Sequence, residues 1–444
     1  MSQNEKSRPF LDWRSGVISV QEAIEKKEGP AKIRGWVYRE RKSNKRAFIV
    51  VRDSTNIIQC LVEREDVPED VWNAVEKIHI ETSLVVEGTL KADERAPTGV
   101  ELAVKNLEIV GPCDIFPITK DQSPEFLLDN RHLWLRSRRM TSILKIRSTV
   151  TGAIHEFFRK RGYHEFTPPI FTPNACEGGA TLFEVKYFDD KVYLTQSWQL
   201  YAEAAVFALE KIYDVAPTFR AERSKTSRHL AEFWMAEMEA AWMELDEVVQ
   251  VAKDEVEFIV QEVLRKNRAE LELLGRDISK LEKIKQPFPT ITYSEALKIL
   301  KEKEGMEVPW GKDLRTIEED RLMKHFETPV VVTNYPKETM AFYKPKDPKD
   351  PKTALCFDML APEGYGEIIG GSQRSTDIEE LKEGLEKEGE NPEHYEWYLD
   401  LRRYGSVPHS GYGLGVERVV AWICGLDNIK DAIPFPRTML RKSP

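Results

Sequence analysis

From Ala31 to Val110 the apolar positions come in short runs, AKIRGWVY, AFIVVRD, NIIQCLVE, TSLVVEGTL and VELAVKNLEIV, broken by polar or Gly/Pro turns. Runs of this length and composition predict five strands in about 80 residues. A helical stretch near Glu69 to Lys77 interrupts them. The pattern suits a small Greek-key barrel of the OB type, and equally a small β-barrel with no ligand. After GPC at 111–113 the pattern stops, and a polar, Pro-containing stretch to about Met140 reads as a connector.

Farther on the period changes. Ile143, Ile146, Val150, Ile154, Phe157 and Phe158 recur mostly at spacings of three and four, which predicts an amphipathic helix, and Gly162 supplies its stop. The prolines of TPPIFTP then hold the chain extended. YDVAPTFRAE and LAEFWMAEMEAAWM read as two strands around the basic loop RSKTSRH. Residues 245–271 are helical by periodicity, and 275 to about 335 mixes helices with charged loops. CFDML and YGEIIGGSQR read as strands presenting carboxylates, and VPHSGYGLG leads into the helix VERVVAWICG, capped by Gly425. TQSWQLYAEAA is spaced like a helix with Leu200, Ala204 and Ala205 as its packing face. Its Gln196, Ser197, Gln199 and Glu203 are then either a solvated face or the wall of a polar pocket.

Strand runs separated by helical blocks, without a βαβ alternation, predict an α+β fold: an N-terminal OB-type barrel followed by an antiparallel sheet flanked by helices. The expected division is an extension at 1–16, the barrel at 17–112, a connector at 113–141 and the second domain at 142–444, with a helical insertion around 245–335. A Walker A sequence is absent, and GEIIGG is not GxGxxG, so any nucleotide is bound by another route.

Composition narrows the class. A chain of 444 residues with 41% hydrophobic and 32% charged content is that of a globular, multidomain protein. The polar start MSQNEKSRPF and the lack of an apolar run approaching the roughly 18 to 20 residues of a membrane helix place it in the cytoplasm, with no membrane partner. The five cysteines are scattered with no CxxC pair, which points to free thiols rather than zinc. A net charge of −10 argues against wholesale coating of nucleic acid, but Arg39, Arg41, Lys42, Lys45 and Arg46 form a local basic footprint.

Three separated elements carry the chemistry. FRAE at 219–222 precedes a loop with Arg228 and His229; GLGVER at 413–418 ends in Arg418; and the helix followed by TPP stands before both. In this order they resemble motifs 2, 3 and 1 of the class II aminoacyl-tRNA synthetases. FRAERSKTSRHLAEFW, ACEGGATLF, EIIGGSQR and PHSGYGLGVER further resemble the archaeal-type asparaginyl-tRNA synthetases of the aspartyl/asparaginyl branch. The resemblance covers nearly the whole chain. It implies an ATP-dependent aminoacyl-tRNA ligase that makes asparaginyl-adenylate and transfers the acyl group to the 3′-terminal ribose of tRNA(Asn), with ATP and Mg²⁺ as cofactors. Two alternatives stay open: an aspartate-tRNA ligase of the same architecture, and a paralogue making free asparagine from aspartate and ammonia.

The resemblance also assigns residues. Arg220 and Arg418 are the catalytic cations, holding the α- and γ-phosphates, and an arginine fork suits phosphate geometry. Arg228 or His229 assists from the loop, Glu222 accepts from the adenine amino group, Phe233 stacks on the ring, and Asp358 and Glu367 carry Mg²⁺. Glu177, Ser197 and Gln199 are inherited as contacts to the substrate amino group, and Arg374 as the donor to its side-chain oxygen. Where the aspartyl enzymes continue QLYKQ, this chain reads QLYAE, with Ala202 in place of the lysine. Arg374 as donor and Glu203 as acceptor would match an amide, and hydrogen-bonding sites of this kind discriminate by about 10⁴, roughly 5 kcal/mol. In the barrel, Phe48 and Gln59 correspond to the residues that stack on and read the central anticodon base. The resemblance implies a homodimer built through motif 1, with the apolar face of 143–158 as its physical basis.

Overall fold

In a computed structural model the structure describes residues 12–178, 181–223 and 228–444. The chain divides into two compact units at Leu127/Leu128. Residues 1–11 of the expected N-terminal extension, Gly179 and Ala180 of ACEGGATLF, and residues 224–227 of the basic loop lie outside the described residues.

In the first unit, strands β1 (Gly29–Lys42), β2 (Arg46–Arg52), β3 (Ile57–Glu63), β4 (Ser83–Ala92) and β5 (Val100–Gly111) close a barrel in the order β1-β2-β3-β5-β4. Alternation decides which side chains fill it. Ala47, Ile49 and Val51 of β2 point inward and are fully buried. The helix Glu69–Glu76 lays Val71, Trp72 and Val75 against this core. Phe48 and Gln59 take the opposite, outer face on adjacent strands, because Phe48 pairs with Leu61 and Val50 with Gln59. Both are half-buried, and Gln59 Nε2 donates to Glu101 Oε2 at 2.6 Å.

The second unit is built on β6 (His164–Glu165), β7 (Phe171–Thr172), β8 (Glu184–Tyr187), β9 (Asp190–Leu194), β10 (Lys211–Phe219), β11 (Glu232–Ala241), β12 (Thr290–Thr292), β13 (Val330–Thr333), β14 (Cys356–Ala361), β15 (Gly366–Gln373) and β16 (His409–Gly415). Eight of them form one sheet in the order β12-β13-β14-β15-β16-β11-β10-β6, while β7, β9 and β8 make a small second sheet. Only the edge pairs β12/β13 and β10/β6 of the large sheet are parallel. No helix among the described residues is long and apolar enough to cross a membrane.

The helix Arg138–Lys160, capped by Ser137, and the helix Leu245–Lys266 pack against the sheet in one large core. Two expectations change here. The apolar face Ile143, Ile146, Val150, Ile154, Phe157 and Phe158 is fully buried within the chain itself, so it is not a surface for a second copy. The expected insertion is not an appendage either. Val248, Ala252, Val256, Ile259 and Val263 complete that core, and β12 and β13 extend the sheet. The second half of the expected connector likewise belongs to the second unit. Arg131 is fully buried and donates to the carbonyls of Lys430, Ile433 and Pro434.

Candidate active site

The middle strands of the large sheet carry the polar side chains. On β11, period-two alternation puts Phe233, Met235, Glu237 and Glu239 on one face. Asp358 stands on β14, Glu367 on β15, and Arg374 just beyond it. Tyr412, Gly413 and Gly415 come from β16, and Arg418 sits in the first turn of the helix Val416–Cys424. All of these but Glu239 line a cavity of about 320 Å³. Glu177, Ser197, Gln199, Arg220, Glu222, Arg228, His229, Phe233, Asp358, Glu367, Arg374 and Arg418, the residues expected to bind nucleotide, metal and amino acid, all line it. Glu203 does not.

One end is suited to polyphosphate. The Arg220 guanidinium lies 5.6 Å from the Phe233 ring centre, and its buried Nε meets no acceptor. Burial works against its charge, yet Glu177, Glu367 and Glu222 hold its pKa above the ordinary arginine value. Arg418 donates to the Glu367 carbonyl at 2.7 Å and to its Oε2 at 3.2 Å. Glu222 Oε2 is 3.5 Å from His229 Nε2, and Arg228 meets Asp320 at 2.8 Å and the Gly364 carbonyl.

Facing these cations is a bank of carboxylates. Burial, and then Glu367, push the pKa of Asp358 well up. Glu367 is opposed by burial too, but Arg418, Arg220 and Lys344 overcome it and lower its pKa. Glu319 is pushed up to about 7 by burial and by Glu367, and Asp313 is raised by the same two causes. Among the described residues no group of three or more His, Cys, Asp or Glu could hold a metal ion by itself. Two crowded carboxylates completed by phosphate oxygens are nevertheless the donor set Mg²⁺ prefers, and Asp358 with Glu367 fit it.

The other end is a cage of acceptors. Ser197 Oγ donates to Glu237 Oε1 at 2.5 Å, and the Trp198 amide to its Oε2 at 3.0 Å. Burial pushes Glu237 up to about 7, with Glu177 adding to the effect. Tyr343 donates to Glu177 Oε1 at 2.7 Å, while Gln196 Oε1 takes the amides of Cys176 and Glu177. A substrate ammonium among these oxygens would relieve their mutual repulsion. Beyond them, Arg374 forms a two-pronged pair with Glu239 at 2.9 and 2.8 Å and donates to Ser372 at 2.8 Å. Gly411 makes room for that pair: a Cβ there would stand 2.1 Å from Glu239 Oε2 and 2.7 Å from Arg374.

Glu203 requires a correction. The helix starts at Gln199, and its inward face is Leu200, Ala202, Glu203 and Val206, with Ala204 and Ala205 only half-buried. Glu203 is fully buried behind the cavity wall, where Tyr398, Arg402, His409 and Gln199 all donate to its carboxylate. Those four donors occupy the oxygens that were expected to meet a substrate amide.

The chain matches the tRNA synthetases class II (D, K and N) over residues 123–439 and the OB-fold nucleic acid binding domain over 31–110. The chain belongs to the class II tRNA synthetases. Among its relatives, an asparagine–tRNA ligase of Thermococcus gammatolerans is 50% identical over 93% of this chain and 96% of its own, and one of Thermoplasma acidophilum is 48% identical over the same shares. A crystal structure of asparaginyl-tRNA synthetase from Pyrococcus horikoshii complexed with asparaginyl-adenylate superposes with a TM-score of 0.93 at 48% identity, covering 96% of this chain and 99% of that one. The Entamoeba histolytica asparaginyl-tRNA synthetase in complex with asparaginyl-adenylate gives 0.87 at 29% identity, covering 96% and 99%.

Several residues of this synthetase cavity escaped the sequence reading: Glu237, Tyr343, Lys344 and Asp313 line it, with Glu239 and Glu319 close behind. The alternation in EFWMAEME would have placed Glu237 and Glu239 beside Phe233. Asp313 sits in a charged loop with no such signal.

Proposed function

We propose that the chain is an asparagine–tRNA ligase, activating asparagine with ATP and esterifying the 3′-terminal ribose of tRNA(Asn). The observation that carries this reading is the charge balance at the amino-acid end. Arg374 is already matched by Glu239, and Ala202 is buried where the aspartyl pattern has a lysine. A neutral amide can take a hydrogen bond from Arg374, whereas an aspartate side chain would bring an unmatched negative charge beside Glu239 and Glu237.

In the first step an asparagine carboxylate oxygen attacks the α-phosphorus and pyrophosphate leaves. Glu177, Ser197, Gln199 and Glu237 hold the ammonium, so that the carboxylate faces Arg220. Arg220 stabilises charge on the α-phosphate oxygens and Arg418 anchors the γ-phosphate. Glu222 takes the adenine amino group beside Phe233, with Arg228 and His229 at the loop side. Mg²⁺, held by Asp358 and Glu367, would neutralise the phosphate charge that these carboxylates otherwise repel. In the second step the terminal ribose hydroxyl attacks the acyl carbon and AMP leaves. Phe48 and Gln59, sharing the outer barrel face, are the proposed stacking and edge contacts to the central anticodon base.

A homodimer and a cytoplasmic location complete the reading. The homodimer rests on the family resemblance, and sedimentation velocity tests it; the location rests on the lack of a membrane-length apolar run in the sequence. The function itself is tested by incubating the chain with ATP, Mg²⁺, tRNA and labelled asparagine. Acid-precipitable asparaginyl-tRNA is the expected product. Charging with aspartate instead would overturn the reading.

A further inference from the structure

The carboxylate excluded from the cavity wall has another role. We infer that Glu203 is a positioning residue for amino-acid selection, fixing which end of the Gln199 amide faces the substrate and holding the backbone that carries Arg374. The inference rests on the amino-acid site proposed above.

Gln199 lines the cavity, and its Nε2 donates to Glu203 Oε1 at 3.0 Å. The ionised carboxylate is an acceptor only, and its remaining capacity is already taken by donors. Tyr398 reaches both oxygens at 2.9 Å, Arg402 meets Oε2 at 2.5 Å, and His409 Nε2 stands 3.0 Å from the same atom. Burial opposes ionisation of Glu203, but Arg402 and His409 overcome it and hold its pKa far below the ordinary value. A fixed carboxylate leaves the Gln199 amide one orientation. Its NH₂ group turns to Glu203, and its carbonyl oxygen becomes the acceptor offered to the cavity. An ammonium or amide N–H of the substrate needs such an acceptor, and a reversed amide would present a donor instead.

The same hub reaches Arg374 along two chains of bonds. Arg402 Nε donates to the Ser375 carbonyl at 2.9 Å, and the Arg374 amide donates to the His409 carbonyl at 2.9 Å. Tyr398 and Arg402 lie one turn apart on the helix Glu396–Arg403, so that one helix face clamps the carboxylate. The groups on either side of the proposed substrate, Gln199 and Arg374, thus share one buried anchor.

The test is a double-mutant cycle between positions 203 and 199, read by ATP–pyrophosphate exchange. Wild-type exchange with asparagine comes first; its absence would sink the proposed function and leave the cycle to be read on whichever amino acid is activated. Glu203→Gln, which lets the Gln199 amide turn, is expected to raise the KM for that amino acid about tenfold with the KM for ATP within about twofold. In a Gln199→Leu background its effect should shrink to the part transmitted through the backbone that carries Arg374. Glu203→Asp keeps the charge for Arg402 while withdrawing from Gln199, and should show the same split at near-native Tm. An unchanged amino-acid KM in either folded variant, or full additivity with Gln199→Leu, overturns the inference. Should neither Glu203 variant fold, Tyr398→Phe loosens the carboxylate without removing it, and an unchanged amino-acid KM there is equally decisive against it.

Discussion

Arg220→Lys separates the shape of the phosphate cation from its charge. In the structure the arginine stands beside the Phe233 ring, ringed by Glu177, Glu222 and Glu367, with a shielded Nε that no protein group accepts. Lysine would keep a cation among these carboxylates, so the fold should tolerate it. What it loses is the fork, which offers an α-phosphate two parallel donors where lysine offers a point charge. One charge-assisted hydrogen bond is worth about 1.5–3 kcal/mol. At about 1.4 kcal/mol per decade this predicts a fall of roughly 10- to 150-fold in kcat/KM for ATP. Arg220→Ala also strands the neighbouring carboxylates, and removing a preorganised donor of this kind costs about 10²–10³ in kcat. The assay is ATP–pyrophosphate exchange at saturating asparagine with ATP varied, on variants whose Tm matches the wild type. A lysine variant within threefold of wild type, or a defect confined to the asparagine KM, would refute the assignment.

Phe48→Ala should raise the KM for tRNA by roughly 5- to 150-fold, the loss of about 1–3 kcal/mol of base stacking, and leave pyrophosphate exchange untouched; a change in exchange would mean that Phe48 supports the fold instead. Asp358→Asn should cut exchange by at least about a hundredfold and move the Mg²⁺ titration to higher concentration; an unchanged titration would remove Asp358 from the metal site. Burial pushes Glu255 up to about 8, against the hydrogen bond from Tyr412. Because its folded pKa lies above the ordinary 4.5, its contribution to stability is complete below pH 4.5 and is lost as pH rises through about 8, with a slope of at most about 1.4 kcal/mol per unit. Glu255→Gln should therefore flatten the fall of Tm between about pH 5 and about pH 8, and parallel curves would contradict the buried-acid reading.

Local signals carried most of the architecture. Short β runs foretold the barrel, and the helix that Ser137 caps had a clear three-and-four periodicity ending near Gly162. FRAE lies at a strand end, GLGVER at a strand-to-helix junction and EIIGGSQR along β15, all bordering the cavity, so motif and wall coincide. Long-range pairing was hidden. Glu203 looked like a pocket residue because its neighbours Ser197 and Gln199 are. The helix instead turns it inward, and its partners Tyr398, Arg402 and His409 lie some 200 residues away. The helix Leu245–Lys266 shows an apolar face, but its seat against the helix Arg138–Lys160 is a tertiary fact with no local mark. For the same reason Asp313 and Lys344 reach the cavity from stretches with no recognisable motif.

The central claim is that the amino-acid end selects an amide. Its most direct test is initial-rate ATP–pyrophosphate exchange with asparagine and aspartate at matched concentrations, without tRNA. Exchange with asparagine, and a kcat/KM for aspartate lower by about 10⁴, is the predicted result. Comparable or faster exchange with aspartate would contradict it, because Arg374 would then be free to neutralise a second carboxylate despite its pairing with Glu239.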